Sequence, residues 1–309
     1  MNSVTHSDKI KNCLCVIAVI TLMVGAAEFS GESEIIFPEI AAICIGGFAA
    51  PKLVWKTSLL RMFICIMICA VSGVAIVRFV AAPLWMQVVL AFIIGNAVLM
   101  LSGTTFVPMI SAIALPVLIQ TDSIIYILSA GFFTGLVIGL RILLEKDGVK
   151  ERENYMPAYR KPGRAEVFRL IAVIVFAYLA IAADFKFCVA PPLLVAFTEM
   201  VTNPEGNTTK RVKAALLVTL LSLSGALVRF LIVMKAGLPD FTGAIVISIL
   251  ILLLVKAVGL PYPPAGAMAV LAMLIPEEVV VIYPLQVFIG IGIFTLLAEV
   301  FDRCIKCRN

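Results

Sequence analysis

Charge is scarce in this chain. Of its 309 residues only 14% are Asp, Glu, Lys or Arg, against roughly a quarter in soluble domains. Histidine is scarcer still, with His6 alone, which removes histidine-based catalysis and every two-histidine metal motif. Long polar stretches are missing too: 62% of the residues are hydrophobic and mean hydropathy is +1.12. These shortages exclude a soluble enzyme, a disordered protein and a nucleic-acid-binding module, and they require a lipid bilayer around most of the chain. At roughly 20 apolar residues per membrane helix, this length supplies about ten to twelve spans. No room is left for a separate soluble domain, which takes roughly 50 residues or more.

The eight cysteines add little. Cys13, Cys15, Cys65, Cys69 and Cys188 lie in or beside apolar runs, where the thiol behaves as a small hydrophobe. Cys304 and Cys307 form a single C-x-x-C with no second Cys or His pair, so no metal site is expected. No cofactor motif is present either.

The chain repeats itself. Ile17-Ala18-Val19-Ile20 recurs as Ile171-Ala172-Val173-Ile174, and Ala26-Ala27-Glu28-Phe29 recurs as Ala182-Ala183-Asp184-Phe185. Pro38 and Pro51 are matched by Pro191 and Pro204, and Arg61 by Lys213. Ser72-Gly73 with Val77-Arg78-Phe79 is matched by Ser224-Gly225 with Val228-Arg229-Phe230. Gly103 and Pro108 are matched by Gly259 and Pro264, and Phe133-Thr134 by Phe294-Thr295. Shared order at a nearly constant interval marks an internal duplication. The first apolar run, Ile10–Phe29, could pass for a cleaved secretory signal, but its counterpart at Phe168–Phe185 makes it a retained membrane helix. The expected division is a first transmembrane repeat at 1–144, a linker at 145–167 and a second repeat at 168–309.

Each half holds about six helical segments, of which the second and fifth are short and carry Pro near their start. Short, Pro- or Gly-interrupted segments at matching positions of two halves point to broken or re-entrant helices at a transport site. Lys and Arg collect before the first segment, after the second, in the linker, before Lys213 and at the end of the chain, whereas Glu28, Glu32, Glu34, Glu277 and Glu278 mark the other side. Basic loops stay inside. Each half therefore crosses an even number of times, the repeats run parallel, and both termini and the linker are cytoplasmic in a multi-pass inner-membrane protein. The fold class is an all-α polytopic membrane protein of two parallel internal repeats.

Candidate residues follow from this frame. Arg78 and Arg229 lie about 25 Å along a helix from Arg61 and Lys213 at 1.5 Å per residue. They either snorkel at the outer interface or form a cationic pair at the mouth of an anion pathway. The openings of the fifth segments, at Thr104-Thr105 and Tyr262-Pro263-Pro264, would aim unpaired backbone N–H groups and hydroxyls at an anion. Gly266 would allow close backbone approach, for an anion or for a neighbouring helix. Lys256, Glu39, Glu199 and Glu299 stand near segment ends; the last two would be proton carriers if buried. Glu28 and Asp184 read as solvated end charges. Asn96 needs an interior partner.

The string Tyr262-Pro263-Pro264-Ala265-Gly266-Ala267 resembles the signature of the HPP family of integral membrane proteins, whose motif is His-Pro-Pro followed by small residues. Here Tyr262 stands for the His. Ala190-Pro191-Pro192, Pro204 and the Ser224-Gly225 helix resemble the family's earlier blocks, so the likeness covers most of 187–275 and, through the repeat, 37–119 more faintly. Members are regarded as transporter-like, with plant members linked to nitrite. The resemblance thus implies a transporter or channel for a small anionic solute. The alternatives are a membrane binding or sensor subunit, and a membrane-embedded enzyme. The enzyme is disfavoured because no nucleophile–base arrangement or Asp pair is present. A homo-oligomer is left open.

Overall fold

The computed structural model describes residues 6–50, 52–151, 155–159, 162–202 and 207–306. Expectations resting on Pro51, Arg152, Arg160, Lys161, Pro204, Cys307 or Arg308 lie outside the described residues. Within them the chain is helical, with no strand. Twelve α-helices follow in order: α1 (His6–Ser30), α2 (Glu39–Cys44), α3 (Leu59–Phe79), α4 (Leu84–Leu101), α5 (Met109–Ile119), α6 (Ile124–Lys146), α7 (Arg164–Ala182), α8 (Pro191–Thr202), α9 (Thr208–Val228), α10 (Asp240–Val258), α11 (Pro263–Leu271) and α12 (Tyr283–Lys306). Eight of them are long and apolar enough to cross a membrane. The all-α polytopic class is therefore observed, and the four short helices are the second and fifth of each half.

Local chemistry sets the boundaries. Ser58, Ser123 and Asn207 cap α3, α6 and α9 by accepting backbone N–H groups of the first turn. Gly103 and Gly259 take φ of +64° and +68° just past α4 and α10, the left-handed stop that glycine adopts without Cβ strain. Pro108 and Pro263 then start α5 and α11, where a missing N–H costs nothing.

The short helices traverse the bundle; they do not re-enter. At one end of α2, Ser129 near the start of α6 donates to Ile35 O; at the other, Arg141 near the end of α6 donates to Gly47 O. Gln120, just past α5, reaches Gln87 at the start of α4, whereas Arg61 at the start of α3 bonds Ser102 O at the end of α4. Gln286 near the start of α12 accepts from Phe187 N ahead of α8, and Arg211 holds both Met200 O in α8 and Asp302 at the end of α12. Extended residues at 104–106 and 260–262 lead into α5 and α11 and cover about 3.3 Å each against 1.5 Å in a helix, whereas a π-helical turn at Ile45–Ala49 continues α2 and a 3-10 turn at Lys186–Val189 precedes α8. Such backbone is tolerated at membrane depth where protein surrounds it or a cavity lies beside it. All of α2 and α11 is buried, as is almost all of α5 and α8.

The same contacts recur in both halves. Tyr126 donates to Ala112 O and Tyr283 to Met268 O, each at 2.7 Å. Phe37 meets Tyr126 edge to face at 5.7 Å, and Phe187 meets Tyr283 likewise at 5.7 Å. Gly73 and Gly225 press against the carbonyls of Ile113 and Ala269, leaving no space for a Cβ. The halves interlock reciprocally: α1 packs on α10 and α4 on α7, α2 on α11 and α5 on α8. Aromatic pairs sit at both outer seams, Phe29 with Phe241 and Trp85 with Tyr178. Inside lipid there is no hydrophobic drive between helices, so small residues and close packing carry the association.

Three matches shift register. The left-handed turn after α1 is Gly31 and that after α7 is Asp184, so Asp184 corresponds to Gly31 and not to Glu28. Glu28 instead accepts from Phe241 N at 3.0 Å, capping α10 of the other half. By their caps Arg61 matches Lys210, and only by the downstream glycines does it match Lys213, because α9 carries most of an extra turn. The tyrosine contacts place the Phe133–Phe294 match one helical turn off.

Candidate functional site

A pocket of about 370 Å³ lies where the halves meet. Thr104, Thr105 and Val107 line it from the approach to α5, and Leu260 to Pro263 from the approach to α11. Glu199, Met200 and Thr202 come from the last turns of α8, and Val54 and Trp55 from the loop after α2. Glu166 and Arg169 of α7, Lys210, Arg211 and Ala214 of α9, and Ala158 of the linker complete it. The linker folds back over this side: Tyr155 OH donates to Gly103 O at 2.5 Å, and Ala158 N donates to the same carbonyl at 3.0 Å.

Among the described residues one side-chain hydrogen bond crosses between the halves at the pocket. Trp55 Nε1 donates to Glu199 Oε1 at 3.3 Å. Thr105 is fixed within its own half, its Oγ1 accepting from Lys56 N at 2.8 Å and its N donating to Lys56 O at 3.1 Å. Tyr262 OH donates to Ala196 O at 3.2 Å, one helical turn before Glu199. Away from the pocket, Arg141 of α6 closes over Gly47 O within the first half, and Lys150 Nζ of the linker adds bonds to Phe48 O and Ala50 O at 2.7 Å each. Burial, and then the nearby Arg141, push Lys150 down from its usual 10.5 to about 8.

The charges divide into paired and unpaired. Arg169 meets Glu166 at 3.4 Å. Arg211 meets Glu299 at 2.9 Å and Asp302 at 2.6 Å. Among the described residues no ion pair reaches Glu199 or Lys210.

Thr104, Thr105, Tyr262 and Pro263, expected at a site from the sequence, are brought together in this pocket. Pro264 and Gly266 are not: both are buried within α11, and a side chain at Gly266 would run into Ile45 just past α2. Gly266 serves helix contact between the halves. Arg78 lies exposed in the last turn of α3. Arg229 is held in the other half, donating to Ala272 O at 2.7 Å and to Ile275 O, so it satisfies carbonyls at the C-terminal end of α11. The arginines thus do not form a pair at this pocket. Glu299 is spent on Arg211, and Asn96 bonds Phe92 O of its own helix.

Trp55 was not singled out from the sequence. Its signal is a difference between halves. In the register that matches Pro38 with Pro191 and Gly31 with Asp184, Glu199 stands opposite Gly46. The Trp55 ring fills the space a side chain at Gly46 would need, and its N–H reaches Glu199. No protein-family model matches the chain, and no curated protein or solved structure matches it.

Proposed function

We propose that this chain is a solute transporter whose small anionic solute binds in the pocket between the halves. The observation that carries the reading is that the approaches to α5 and α11, one from each half, line one cavity. Helix N-termini near that cavity favour negative charge, and the hydroxyls of Thr104 and Thr105 are of the type that hold small oxyanions; Thr105 Oγ1 accepts from Lys56 N and keeps its proton to donate. The likeness to the HPP family at Tyr262–Ala267 points the same way. Transport is preferred to catalysis because the described residues lining the pocket include no histidine, cysteine or paired carboxylates that could act as nucleophile and base. With the basic loops inside, the pocket opens to the cytoplasm beside the linker, and both termini lie on that side.

Nitrite flux into sealed liposomes carrying purified protein tests this. Saturable uptake is expected in the wild type. Ala214→Trp, which fills the pocket from α9, should abolish it while the protein still elutes as a folded species. Equal flux in Ala214→Trp and wild type would place the pathway elsewhere, and absence of flux would favour a binding or sensor subunit.

A further inference from the structure

Glu199 is the one carboxylate on the pocket that makes no ion pair among the described residues, since Glu166 meets Arg169. Its Oε1 already accepts from Trp55. A carboxylate withdrawn from bulk water without a counter-charge is costly, so its environment favours a ligand that brings the positive charge. Two aromatic residues line the same cavity. Trp55 is tied to Glu199 directly, and Tyr262 is anchored one helical turn away on α8. A carboxylate beside aromatic rings is the chemistry that recognises organic ammonium groups, by charge and by attraction to the rings. A bare inorganic anion would leave Glu199 unmatched. Lys210, an exposed residue lining the same pocket, also makes no ion pair among the described residues.

We infer that Glu199, Trp55 and Tyr262 form a subsite for the ammonium group of a small organic solute, and that the solute is a zwitterion whose carboxylate lies toward Lys210. This rests on the pocket being the solute site proposed above, and it takes the anionic group bound there to be the carboxylate end of an amino-acid-like zwitterion in place of an inorganic anion. The volume of about 370 Å³ accommodates one.

Trp55 and Trp85 are the two tryptophans, so in a Trp85→Phe background the emission of Trp55 reports on the subsite. The probes are 4-aminobutyrate, n-butylamine and butyrate, titrated into detergent-purified protein, with thermal stabilisation measured in parallel. The expected order of affinity is 4-aminobutyrate, then butylamine. Glu199→Gln keeps an oxygen for the Trp55 N–H and removes the charge. It should weaken both amines at least tenfold and leave the butyrate response within twofold. Amine responses that are absent in wild type, or unchanged in Glu199→Gln, would overturn the subsite. Should Glu199→Gln fail to fold, Glu199→Asp against Glu199→Asn makes the same comparison of charge kept with charge lost. Because binding is read without flux, amine binding by a protein that moves nothing would refute transport and leave the subsite standing. Nitrite flux with no amine binding would do the reverse.

Discussion

In the first half Tyr126 ties α6 to α5 and Gly73 lets α3 meet that helix backbone to backbone. In the second, Tyr283 and Gly225 do the same for α12, α11 and α9. The halves part company at the cavity and at the ends of α3 and α9. Gly46 with the Trp55 ring over it faces Glu199; exposed Arg78 corresponds to Arg229, which is bonded to two carbonyls. The difference separates scaffold from site. Packing repeats because both halves must bury a short helix inside lipid with its backbone satisfied. The pocket does not repeat, and under the proposed reading two unlike walls suit a solute with two unlike ends.

Breaking the shared scaffold should have the largest effect. A methyl at Gly73 or Gly225 meets backbone carbonyls, so Gly73→Ala and Gly225→Ala should each cost about 1–3 kcal/mol through overpacking, read as thermal unfolding in detergent. Equal stability of either variant and wild type would show that the close approach relaxes freely. The arginines should behave unequally. Arg229→Gln strips a charged donor from two carbonyls and should cost about 1.5–3 kcal/mol, whereas Arg78→Gln should stay within about 0.5 kcal/mol. Matching losses would restore a common role for the pair.

The repeated tyrosines sharpen the comparison on a finer scale. Tyr126→Phe and Tyr283→Phe each delete one hydrogen bond, worth about 0.5–1.5 kcal/mol, and the two losses should agree because the geometry does. A one-sided loss would mean that only one half depends on the contact. The smallest effect concerns Lys150 of the linker, which bonds Phe48 O and Ala50 O of the first half. Its value near 8 lies below that of the unfolded chain, so the unfolded state binds more protons between about pH 8 and 10.5, and stability should rise with pH across that window. Lys150→Arg stays charged and should lack this rise. An identical pH dependence in both proteins would assign the rise to other groups.

Much of the architecture was legible in the sequence. Apolar runs gave the spans, and Pro and Gly marked the short helices because a lost N–H and a positive φ constrain the backbone wherever they occur. Whether those helices re-enter was not legible, since it depends on how far extended residues such as 104–106 carry the chain. Four of the eight nominated site residues, Thr104, Thr105, Tyr262 and Pro263, line the pocket, because helix openings are local features. Arg78, Arg229, Pro264 and Gly266 do not. Their surroundings come from distant helices: Ile45 stands against Gly266, and the carbonyls of Ala272 and Ile275 against Arg229. Trp55 was obscured by the search for likeness, and Glu199 was named only as a proton carrier if buried, as both stand where the halves differ.

The central claim is that solute occupies the cavity between the halves and reaches it from the side of the linker. A single cysteine at Thr202, on the pocket wall, in a background lacking the native cysteines, tests it through its rate of reaction with an impermeant thiol reagent. The account predicts reaction in inside-out vesicles, protection in right-side-out vesicles, and at least a threefold slowing by saturating 4-aminobutyrate. Ready reaction from the outside, or a rate indifferent to the probe, would contradict it.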